Sequence, residues 1–460
     1  MYHIDFKKPV HVHFIGIGGI SMSGLAEILL ERNFTVSGSD NKESELTKTL
    51  EKHGAKLFYG QKAENIEDGI DVIVYTAAIH PDNPELKEAV RRGLPLLTRA
   101  ELLGQLMQNY KKAVAVAGTH GKTTTTSMLT EILMDSGQDP TISVGGMLDA
   151  IGGNIRVGGS DIFVTEACEY TNSFLSFFPT IAVILNIEAD HLDFFKDLDD
   201  IRRSFCRFAR LLPADGLLII NSDIPDYEEI CRGLSCRIIT VGSDPKKSRY
   251  SAADIRFDQN ACASYTLLVD GKERDTIVLG VPGMHNVYNS LAAVAAAKEL
   301  GISEEEIKSG LLHFSGTHRR FEKKGELNGV VIIDDYAHHP HEIEATLSTA
   351  RNYPHREIWC VFQPHTYTRT KALFDDFARA LSKADHVVLA DIYAARETDT
   401  LGVSSELLAQ RIRELGTEAV YLPDFASIEK FLLKNCVNGD LLITMGAGDI
   451  VKVGEKLLMR

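Results

Sequence analysis

Short apolar runs alternate with amphipathic stretches along the chain. Residues 11–19 predict a strand that runs into a cluster of glycines, residues 21–33 predict a helix, and residues 34–40 predict a second strand. A further strand and helix are predicted at residues 69–78 and 83–93. Repetition of strand, helix and strand at this spacing is typical of βαβ units, so we expect a mostly parallel sheet here.

The middle of the chain repeats this pattern after a polar stretch at residues 108–112, where we place a domain boundary. Three buried strands, a β-rich insertion and a closing helix are predicted at residues 113–118, 160–167, 180–187, 241–275 and 290–300. Gly301 follows the helix, at a position where glycine commonly ends helices. The polar run at residues 315–329 then predicts a second linker.

The last block contains four apolar runs that alternate with helix-like segments, at residues 330–337, 358–363, 386–393 and 441–448. Such alternation is typical of a doubly wound sheet. The sequence therefore predicts an α/β protein with three domains, at residues 1–109, 110–318 and 319–460. The first and the last of these domains are expected to be Rossmann-like.

Composition narrows the classes of function. Acidic residues outnumber basic ones by 64 to 49, giving a net charge of −15, so we expect no nucleic-acid partner. The seven cysteines are irregularly spaced and form no CxxC pair, which favours reduced thiols over disulfides or structural zinc. No apolar run approaches the ~18 residues of a membrane span. Because the N-terminal residues also lack the apolar segment of a signal peptide, we expect a cytoplasmic protein without a membrane partner.

The stretch AVAVAGTHGKTTTT places chemically capable residues directly after a predicted buried strand. Gly118 and Gly121 let the backbone turn tightly and approach a ligand. Lys122 offers a cation to the β- and γ-phosphates, Thr123 offers a hydroxyl to Mg²⁺, and the following helix offers free N–H groups. Val116 stands where the usual Walker pattern has glycine, so the loop is shorter than usual. The combination still predicts a P-loop ATPase-type central domain that binds ATP and Mg²⁺.

The N-terminal glycines admit more than one interpretation. Gly16, Gly18 and Gly19 follow the first strand, and Asp40 ends the second, where an acid can reach a ribose hydroxyl. A dinucleotide fingerprint would need glycine at position 21, and the chain has Ser21. A plain tight turn and a nicotinamide-dependent oxidoreductase remain alternatives at this stage.

A cluster of imidazoles follows the first strand of the last block, in the stretch DDYAHHPHE. His338, His339 and His341 could be interpreted as an independent zinc site. Pro340 and the position at a strand end argue instead for a loop that begins a helix.

The chain resembles the Mur ligases in an ordered set of motifs: GTHGKTTTT, EACEY, NIEADHLD, PGMHNVYN, HRRFE, DDYAHHP and FQPHTYTRT. This resemblance implies a UDP-substrate domain, an ATP domain and a C-terminal domain that closes over the active site. It implies an ATP-dependent ligase that adds L-alanine to UDP-N-acetylmuramic acid through an acyl phosphate, in cytoplasmic peptidoglycan precursor synthesis. The alternative is a murein-recycling ligase that joins a peptide to the same sugar nucleotide. We expect a monomer or a weak homodimer.

The resemblance also implies roles for individual residues. Catalysis is assigned to Lys122, Glu166, His191 and His338. ATP binding is assigned to Gly118, Thr119, His120, Gly121, Lys122, Thr123, Thr124, His285, Asn289, Arg320, Asp335 and Tyr336. UDP-substrate binding is assigned to Gly16, Gly18, Gly19, Ile20 and Asp40, and binding of the amino acid carboxylate to His365 and Arg369.

Two metal ions, Mg²⁺ or alternatively Mn²⁺, are expected from the same resemblance. Thr123 and Glu166 would lie near one ion and His191 near the other, with Glu169 and Asp190 as neighbours. The helix DIRRSFCRFARLL contains no lysine, so no carbamylated lysine is expected. Many relatives have arginine where this chain has Thr366, so one of their contacts with the amino acid carboxylate is not expected here. Arg319 is expected to face solvent.

Overall fold

The structure is a computed structural model that describes residues 2–76, 78–192, 194–395, 397–398 and 400–459. Its contacts divide the chain into two compact units. The first unit comprises Met1–Ile187, Arg202–Thr240 and Ala292–Gly310. The second unit comprises Glu188–Ile201, Val241–Leu291 and Leu311–Arg460. The domain boundaries proposed from the sequence stay predictions. Among the described residues, no helix combines the length and apolarity needed to span a membrane.

The N-terminal part of the first unit is built from βαβ repeats, as predicted. Its elements are β1 (His11–Ile15), α1 (Ile20–Glu31), β2 (Thr35–Asp40), α2 (Glu45–Lys52), β3 (Lys56–Tyr59), β4 (Val72–Tyr75), α3 (Pro84–Arg91), β5 (Leu96–Thr98) and α4 (Arg99–Met107). The strands pair in parallel in the order β3-β2-β1-β4-β5. The order reverses between β1 and β4, and such switch points are where open parallel sheets bind ligands.

The remainder of the first unit is a second sheet, which is mostly parallel. Its elements are β6 (Lys112–Ala117), α5 (Lys122–Asp135), β7 (Thr141–Leu148), β8 (Gly153–Arg156), β9 (Ile162–Ala167), β10 (Ile181–Ile184), β11 (Leu217–Asn221), α7 (Tyr227–Cys231) and β12 (Arg237–Val241). Helix α6 (Leu198–Ala209) lies between β10 and β11 in the sequence. Strand β8 is paired antiparallel to β7. Strand β6 pairs in parallel with β9 on one side and with β10 on the other. The residues that follow these three strands are therefore neighbours.

Two glycines allow close packing of helices inside the first unit. A Cβ atom on Gly104 of α4 would lie 1.9 Å from the backbone oxygen of Ser176. A Cβ atom on Gly24 of α1 would lie 2.0 Å from the side chain of Ile155 on β8. At Gly104 only glycine leaves room for the backbone of Ser176. Helix α4 therefore packs directly against the segment that follows β9.

The insertion predicted from the sequence is an antiparallel meander in the second unit. Its strands are β13 (Tyr250–Phe257), β14 (Cys262–Val269) and β15 (Lys272–Pro282), and they pair in sequence order. Helices α8 (Met284–Leu300) and α9 (Glu304–His313) follow in the sequence.

The C-terminal sheet also belongs to the second unit. Its elements are β16 (Glu322–Leu327), β17 (Val330–Asp335), α10 (Pro340–Arg351), β18 (Ile358–Phe362), α11 (Tyr367–Ala372), α12 (Phe374–Leu381), β19 (His386–Leu389), α13 (Ser405–Glu414), β20 (Glu418–Tyr421), α14 (Phe425–Asn435), β21 (Leu441–Met445) and α15 (Val451–Leu458). The strand order is β16-β17-β21-β18-β19-β20, and every pair except β16–β17 is parallel.

Two features of this sheet differ from the prediction. The segment 315–329 is not wholly a linker, because β16 occupies part of it and pairs antiparallel with β17. As an edge strand it carries the charged sequence EKKGEL, which hides the strand from a search for apolar runs. Strand β20 was also not predicted. Elsewhere the alternation is regular: Ile358, Cys360 and Phe362 face one core, and Trp359 and Val361 face the other.

Candidate active site

The glycine loop after β1 is held by the end of β2. The N–H groups of Gly16 and Ile17 donate to the carbonyl oxygen of Ser39, at 2.9 and 3.0 Å. The N–H group of Gly18 donates to the Asp40 carboxylate at 2.8 Å, and a Cβ atom on Gly18 would lie 2.8 Å from the same oxygen. Asp40 thus organises the loop through one carboxylate oxygen, a contact that its predicted role at a ribose did not anticipate.

The other predicted residues of this loop lie beside it. Gly19 immediately precedes α1, and Ile20, the first residue of that helix, is 62% exposed. The five residues predicted to bind the UDP substrate therefore lie together at the switch point of the first sheet. Their role as ligand contacts stays a prediction.

A buried carboxylate that was not predicted contacts Ser39, the residue that holds the glycine loop. Glu85 is fully buried, accepts a hydrogen bond from the Ser39 hydroxyl at 2.5 Å, and accepts another from the Asn65 side chain. Burial raises the pKa of Glu85, and the hydrogen bonds from Ser39 and Asn65 oppose this. In the sequence this glutamate is an ordinary acid in the first turn of a helix, so no local signal distinguishes it.

The phosphate loop connects β6 to α5, as predicted. Gly118 and Gly121 have φ angles of 148° and 82°, and Gly121 is the residue before the helix. Asn186, which follows β10, accepts from the N–H of Thr119 through its backbone and from the N–H of His120 through its side chain, at 3.2 and 2.7 Å. The Asn186 amide also donates to the His120 carbonyl at 3.0 Å. Asn186 was not predicted, although it stands first in the motif NIEADHLD at the carboxyl end of a strand; Asp193, the last residue of that motif, lies outside the described residues.

Lys122 is held inside this loop by an acid and two carbonyls. Its ammonium lies 3.0 Å from the Glu169 carboxylate, and it donates to the backbone oxygens of Gly118 and Thr119. The Glu169 side chain is 2% exposed. Burial works to lower the pKa of Lys122, but Glu169 and further negative groups outweigh it and raise the pKa. The lysine is therefore charged at neutral pH and already positioned over the loop.

The first turn of α5 brings a hydroxyl to a carboxylate. The Thr123 hydroxyl lies 3.1 Å from one oxygen of Glu166, and the other oxygen accepts from the N–H of Gly145 at 2.6 Å. Thr124 follows in the same turn and is half-buried. Thr123 and Glu166 form a pair of oxygen donors of the kind that Mg²⁺ prefers. The structure thus brings together two residues, 43 positions apart, that the family resemblance had placed near one metal ion, and their role as metal ligands stays a prediction.

The second unit contains a compact charged cluster around Arg369. Its guanidinium donates to Asp190 from Nε at 3.3 Å and from Nη2 at 3.1 Å, while Nη1 lies 3.3 Å from Nδ1 of His365. Burial works to raise the pKa of Asp190, but the positive charge of Arg369 and nearby imidazoles hold it well below its usual range. Burial, with repulsion from other positive groups, lowers the pKa of His365 to about 4. The cluster therefore consists of an ion pair and a neutral imidazole.

His191 adjoins this cluster through its own backbone. Its N–H donates to Asp190 at 2.7 Å, its ring lies 3.8 Å from the same carboxylate, and its φ angle is 52°. Left-handed backbone is uncommon outside glycine and asparagine, so the Asp190 contact holds an otherwise unfavourable turn. Asp190 was predicted only as a neighbour of the expected metal ions, and in the structure it contacts both His191 and Arg369.

His338 lies on the loop between β17 and α10. Its N–H donates to Glu342 at 3.0 Å, and its Nδ1 lies 2.9 Å from the Tyr336 carbonyl, which fixes the orientation of the ring. The ring centroids of His338 and His365 are 6.1 Å apart. Burial lowers the pKa of His338, so the imidazole is neutral at pH 7. Glu342, which also lies 3.8 Å from Arg320, was not predicted.

The prediction for Arg319 was wrong, and the residues predicted around it form one network. Arg319 does not face solvent: it donates to the buried Asp334 at 2.9 Å and to the Gly446 carbonyl at 2.7 Å. The guanidinium carbons of Arg319 and Arg320 lie 4.9 and 5.4 Å from the ring centre of Tyr336. Long-range partners thus turn Arg319 inward, because a buried carboxylate requires a counter-charge.

Asp335 organises the chain on both sides of this network. One oxygen accepts from the N–H of Phe321 at 2.8 Å, and the other accepts from the N–H of Ala337 at 2.7 Å. Burial raises the pKa of Asp335 to about 6, and the positive charge of Arg320 opposes this rise. The residue therefore supports the loop that carries Tyr336 and His338.

The two predicted residues of α8 lie at the start of that helix. His285 has an exposed surface, yet the protein around it lowers its pKa to about 4 by desolvation, and the positive charge of Arg320 adds to this. Asn289 is buried and donates to the side chain of Asn286 at 3.0 Å. The predicted site residues are thus divided between the two units: those around the glycine loop after β1 and around the phosphate loop belong to the first, and the remaining residues belong to the second.

Comparison with known proteins places these groups in a family context. Three family models match the chain in order: "Mur ligase family, catalytic domain" at residues 11–111, "Mur ligase middle domain" at 116–297, and "Mur ligase, glutamate ligase domain" at 319–448.

Full-length relatives and solved structures agree with the family models. UDP-N-acetylmuramate–L-alanine ligases from Lachnospira eligens and Agathobacter rectalis are 65% and 60% identical, and each alignment covers 100% of both chains. The crystal structure of a UDP-N-acetylmuramate–alanine ligase from Thermotoga maritima has a TM-score of 0.79 at 30% identity, covering 98% of this chain and 99% of that one. A murein peptide ligase from Psychrobacter arcticus has a TM-score of 0.69 at 25% identity, covering 98% of both chains.

Proposed function

Because the chain belongs to the Mur ligase family, we propose that it joins L-alanine to the carboxylate of UDP-N-acetylmuramic acid, using ATP and releasing ADP and phosphate. The observation that carries this proposal is the phosphate loop, in which Lys122 is held by Glu169 and Thr123 by Glu166. We place the reaction in the cytoplasm, where ATP is available for peptidoglycan precursor synthesis.

The chemistry explains why a ligase needs this loop. A carboxylate repels an amine and offers no leaving group, so it must first be activated. Transfer of the γ-phosphoryl group from ATP gives an acyl phosphate, and attack by the L-alanine amine then expels phosphate. Stabilisation of charge on the moving phosphoryl group is the main catalytic task in such transfers. The charged Lys122 and the N-terminal N–H groups of α5 supply this stabilisation.

The oxygen donors beside Lys122 fit a magnesium ion. The Thr123 hydroxyl and the Glu166 carboxylate, 3.1 Å apart, would hold it. When bound, Mg²⁺ offsets negative charge on the ATP phosphates. His191 is a nitrogen donor, which suits Mn²⁺ better than Mg²⁺.

We assign the amino acid carboxylate to Arg369 and His365. Asp190 accepts hydrogen bonds from the Nε and Nη2 atoms of Arg369. The Nη1 atom, which lies beside the neutral His365, would therefore bind a second carboxylate together with that imidazole. This arrangement needs no arginine at position 366. Thr366 instead immediately precedes α11, where its hydroxyl accepts from the N–H of Arg369 at 3.4 Å.

The ATP base and ribose are assigned to the group of the second unit that surrounds Tyr336. Arg320 would reach phosphate, and Asp335 would keep the Tyr336 loop in place through its two backbone contacts. His285 and Asn289 present a neutral imidazole and an amide from the start of α8. Neutral donors and acceptors of this kind suit an adenine edge and ribose hydroxyls.

The test is acceptor dependence with product identification. Purified protein should release phosphate only when UDP-N-acetylmuramic acid and L-alanine are both present, and mass spectrometry should detect the UDP-N-acetylmuramoyl-L-alanine product. A peptide that begins with L-alanine and γ-D-glutamate serves as the competing acceptor. Preference for that peptide would indicate the recycling reaction, and phosphate release that ignores the sugar nucleotide would contradict the proposal.

A further inference from the structure

A second cluster of metal-binding side chains lies in the second unit, beside the residues assigned to substrate. It consists of Glu188, His339 and His341, and one ligand atom from each lies within 4.8 Å of those of the others. Nδ1 of His341 contacts the Glu188 carboxylate, and Nε2 of His339 lies 3.2 Å from the Ala189 carbonyl. We propose that these three residues bind a late first-row transition metal ion such as Zn²⁺.

The donor set decides the class of ion. Two imidazoles and one carboxylate form a nitrogen-rich set that suits Zn²⁺, Co²⁺ or Ni²⁺, whereas Mg²⁺ takes oxygen ligands. The Glu188 and His341 side chains are 31% and 60% exposed, so an ion has access from solvent, while the buried His339 provides the fixed ligand.

The local backbone gives a reason for this placement. His339 is the residue before α10, and Pro340 begins that helix with a fixed φ angle. The rings of His339 and His341 consequently lie 5.4 Å apart at 82° to each other. His338 does not belong to this cluster. The site therefore differs from a zinc site made of His338, His339 and His341, because Glu188, 151 positions before His339 in the sequence, takes the place of His338.

Metal binding would join two segments of the second unit. Glu188 lies two residues before Asp190, and His339 and His341 begin α10. A metal ion takes the lone pair of one ring nitrogen of each imidazole, and binding through Nε2 of His339 would replace its 3.2 Å contact with the Ala189 carbonyl. Because only the folded unit brings the three ligands together, bound metal should stabilise it against unfolding.

The experiment measures Co²⁺ and Zn²⁺ binding by the full-length protein without nucleotide or substrate. A large excess of Mg²⁺ occupies the oxygen-donor site at Thr123 and Glu166. The chain also has seven free thiols that could bind Co²⁺. The visible spectrum of the Co²⁺ complex shows whether they do, because thiolate ligands add intense charge-transfer bands and imidazoles do not. We expect one ion per chain, no charge-transfer band, and a higher melting temperature in Zn²⁺.

Variants separate the site from adventitious binding. His341→Ala and Glu188→Gln should each weaken Co²⁺ binding at least about tenfold, since even the loss of an outer-shell partner has effects of this size. His355→Ala is the matched control: this imidazole of the same unit bonds to the Tyr353 carbonyl and should leave affinity unchanged. Equal affinity in all variants, or binding abolished by thiol alkylation, would overturn the proposal. Melting curves without metal establish that each variant is folded.

Discussion

The Lys122–Glu169 pair allows the catalytic role of the lysine to be separated from its structural role. The perturbation is Lys122→Met, with Glu169→Gln added in a double variant. The Lys122 ammonium lies 3.0 Å from Glu169, whose side chain is 2% exposed. Removal of the lysine alone takes the ammonium away from a buried carboxylate, whereas the double variant also removes the charge of that carboxylate.

The magnitude follows from this geometry. At 3.0 Å the attraction between unit charges is about 5–6 kcal/mol with an effective dielectric constant of ~20. Desolvation offsets part of it, and removal of one partner from a buried pair typically costs about 3–5 kcal/mol. Lys122→Met should therefore lower the melting temperature by roughly 5–10 °C. The double variant should regain most of that loss, because the uncompensated charge is gone.

Turnover should behave differently from stability. Both variants lack the cation that stabilises the phosphoryl group, so kcat should fall at least about a hundredfold in each. Affinity for the UDP substrate should be unchanged by calorimetry, since the glycine loop after β1 is intact. Lys111→Met is the control, because Lys111 pairs with Asp161 in an exposed ion pair of small energetic value.

The assays are differential scanning calorimetry, phosphate release and titration calorimetry on the same preparations. A double variant that is no more stable than Lys122→Met would refute the view that Glu169 is held by the lysine. Recovery of turnover in the double variant would show that the lysine acts on Glu169 and not on phosphate. Loss of UDP-substrate affinity would mean that the two nucleotide sites are assigned wrongly.

Three further predictions address other parts of the molecule. Arg369→Lys keeps a charge beside Asp190 but loses the planar fork, so the KM for L-alanine should rise at least about tenfold while that for the sugar nucleotide stays unchanged; equal rises in both would contradict the assignment. Gly104→Ala places a Cβ 1.9 Å from the Ser176 carbonyl and should cost about 1–3 kcal/mol or more in unfolding experiments, whereas Gly153→Ala has its closest neighbour at 3.8 Å and should be nearly neutral. Burial lowers the pKa of His13 to about 3, so its contribution to stability is complete above pH 6.5 and is lost as the pH falls from 6.5 towards 3; between pH 7 and 5 the wild type should lose about 2 kcal/mol more than His13→Gln, and parallel stability curves would be the contrary result.

The sequence revealed features that depend on neighbours in the chain. Apolar periodicity found the parallel strands because buried parallel strands are continuously apolar. The phosphate loop was visible because glycine, lysine and threonine stand together between a strand and a helix. Pairing of Thr123 with Glu166, 43 positions apart, came from the motif resemblance and was not available from periodicity.

The features that were not predicted from the sequence depend on residues that are distant along the chain. The edge strand β16 was predicted to be part of a linker because its sequence is charged, as is common in edge strands, and lacks the apolar run of a core strand. Arg319 was expected in solvent because its partners Asp334 and Gly446 lie 15 and 127 positions away. Glu85 reads as an exposed helix residue, and only the tertiary structure brings it to Ser39. Burial of a polar group is a property of the fold, so its partners cannot be inferred from one segment.

The central claim is that the sugar carboxylate is activated as an acyl phosphate before the amine attacks. The most direct measurement uses UDP-N-acetylmuramic acid labelled with ¹⁸O in its carboxylate, followed by mass spectrometry of the released phosphate. We predict that one labelled oxygen is transferred to each phosphate, because the bond to carbon breaks when the amine displaces it. Phosphate free of label, formed together with the amide product, would contradict the account.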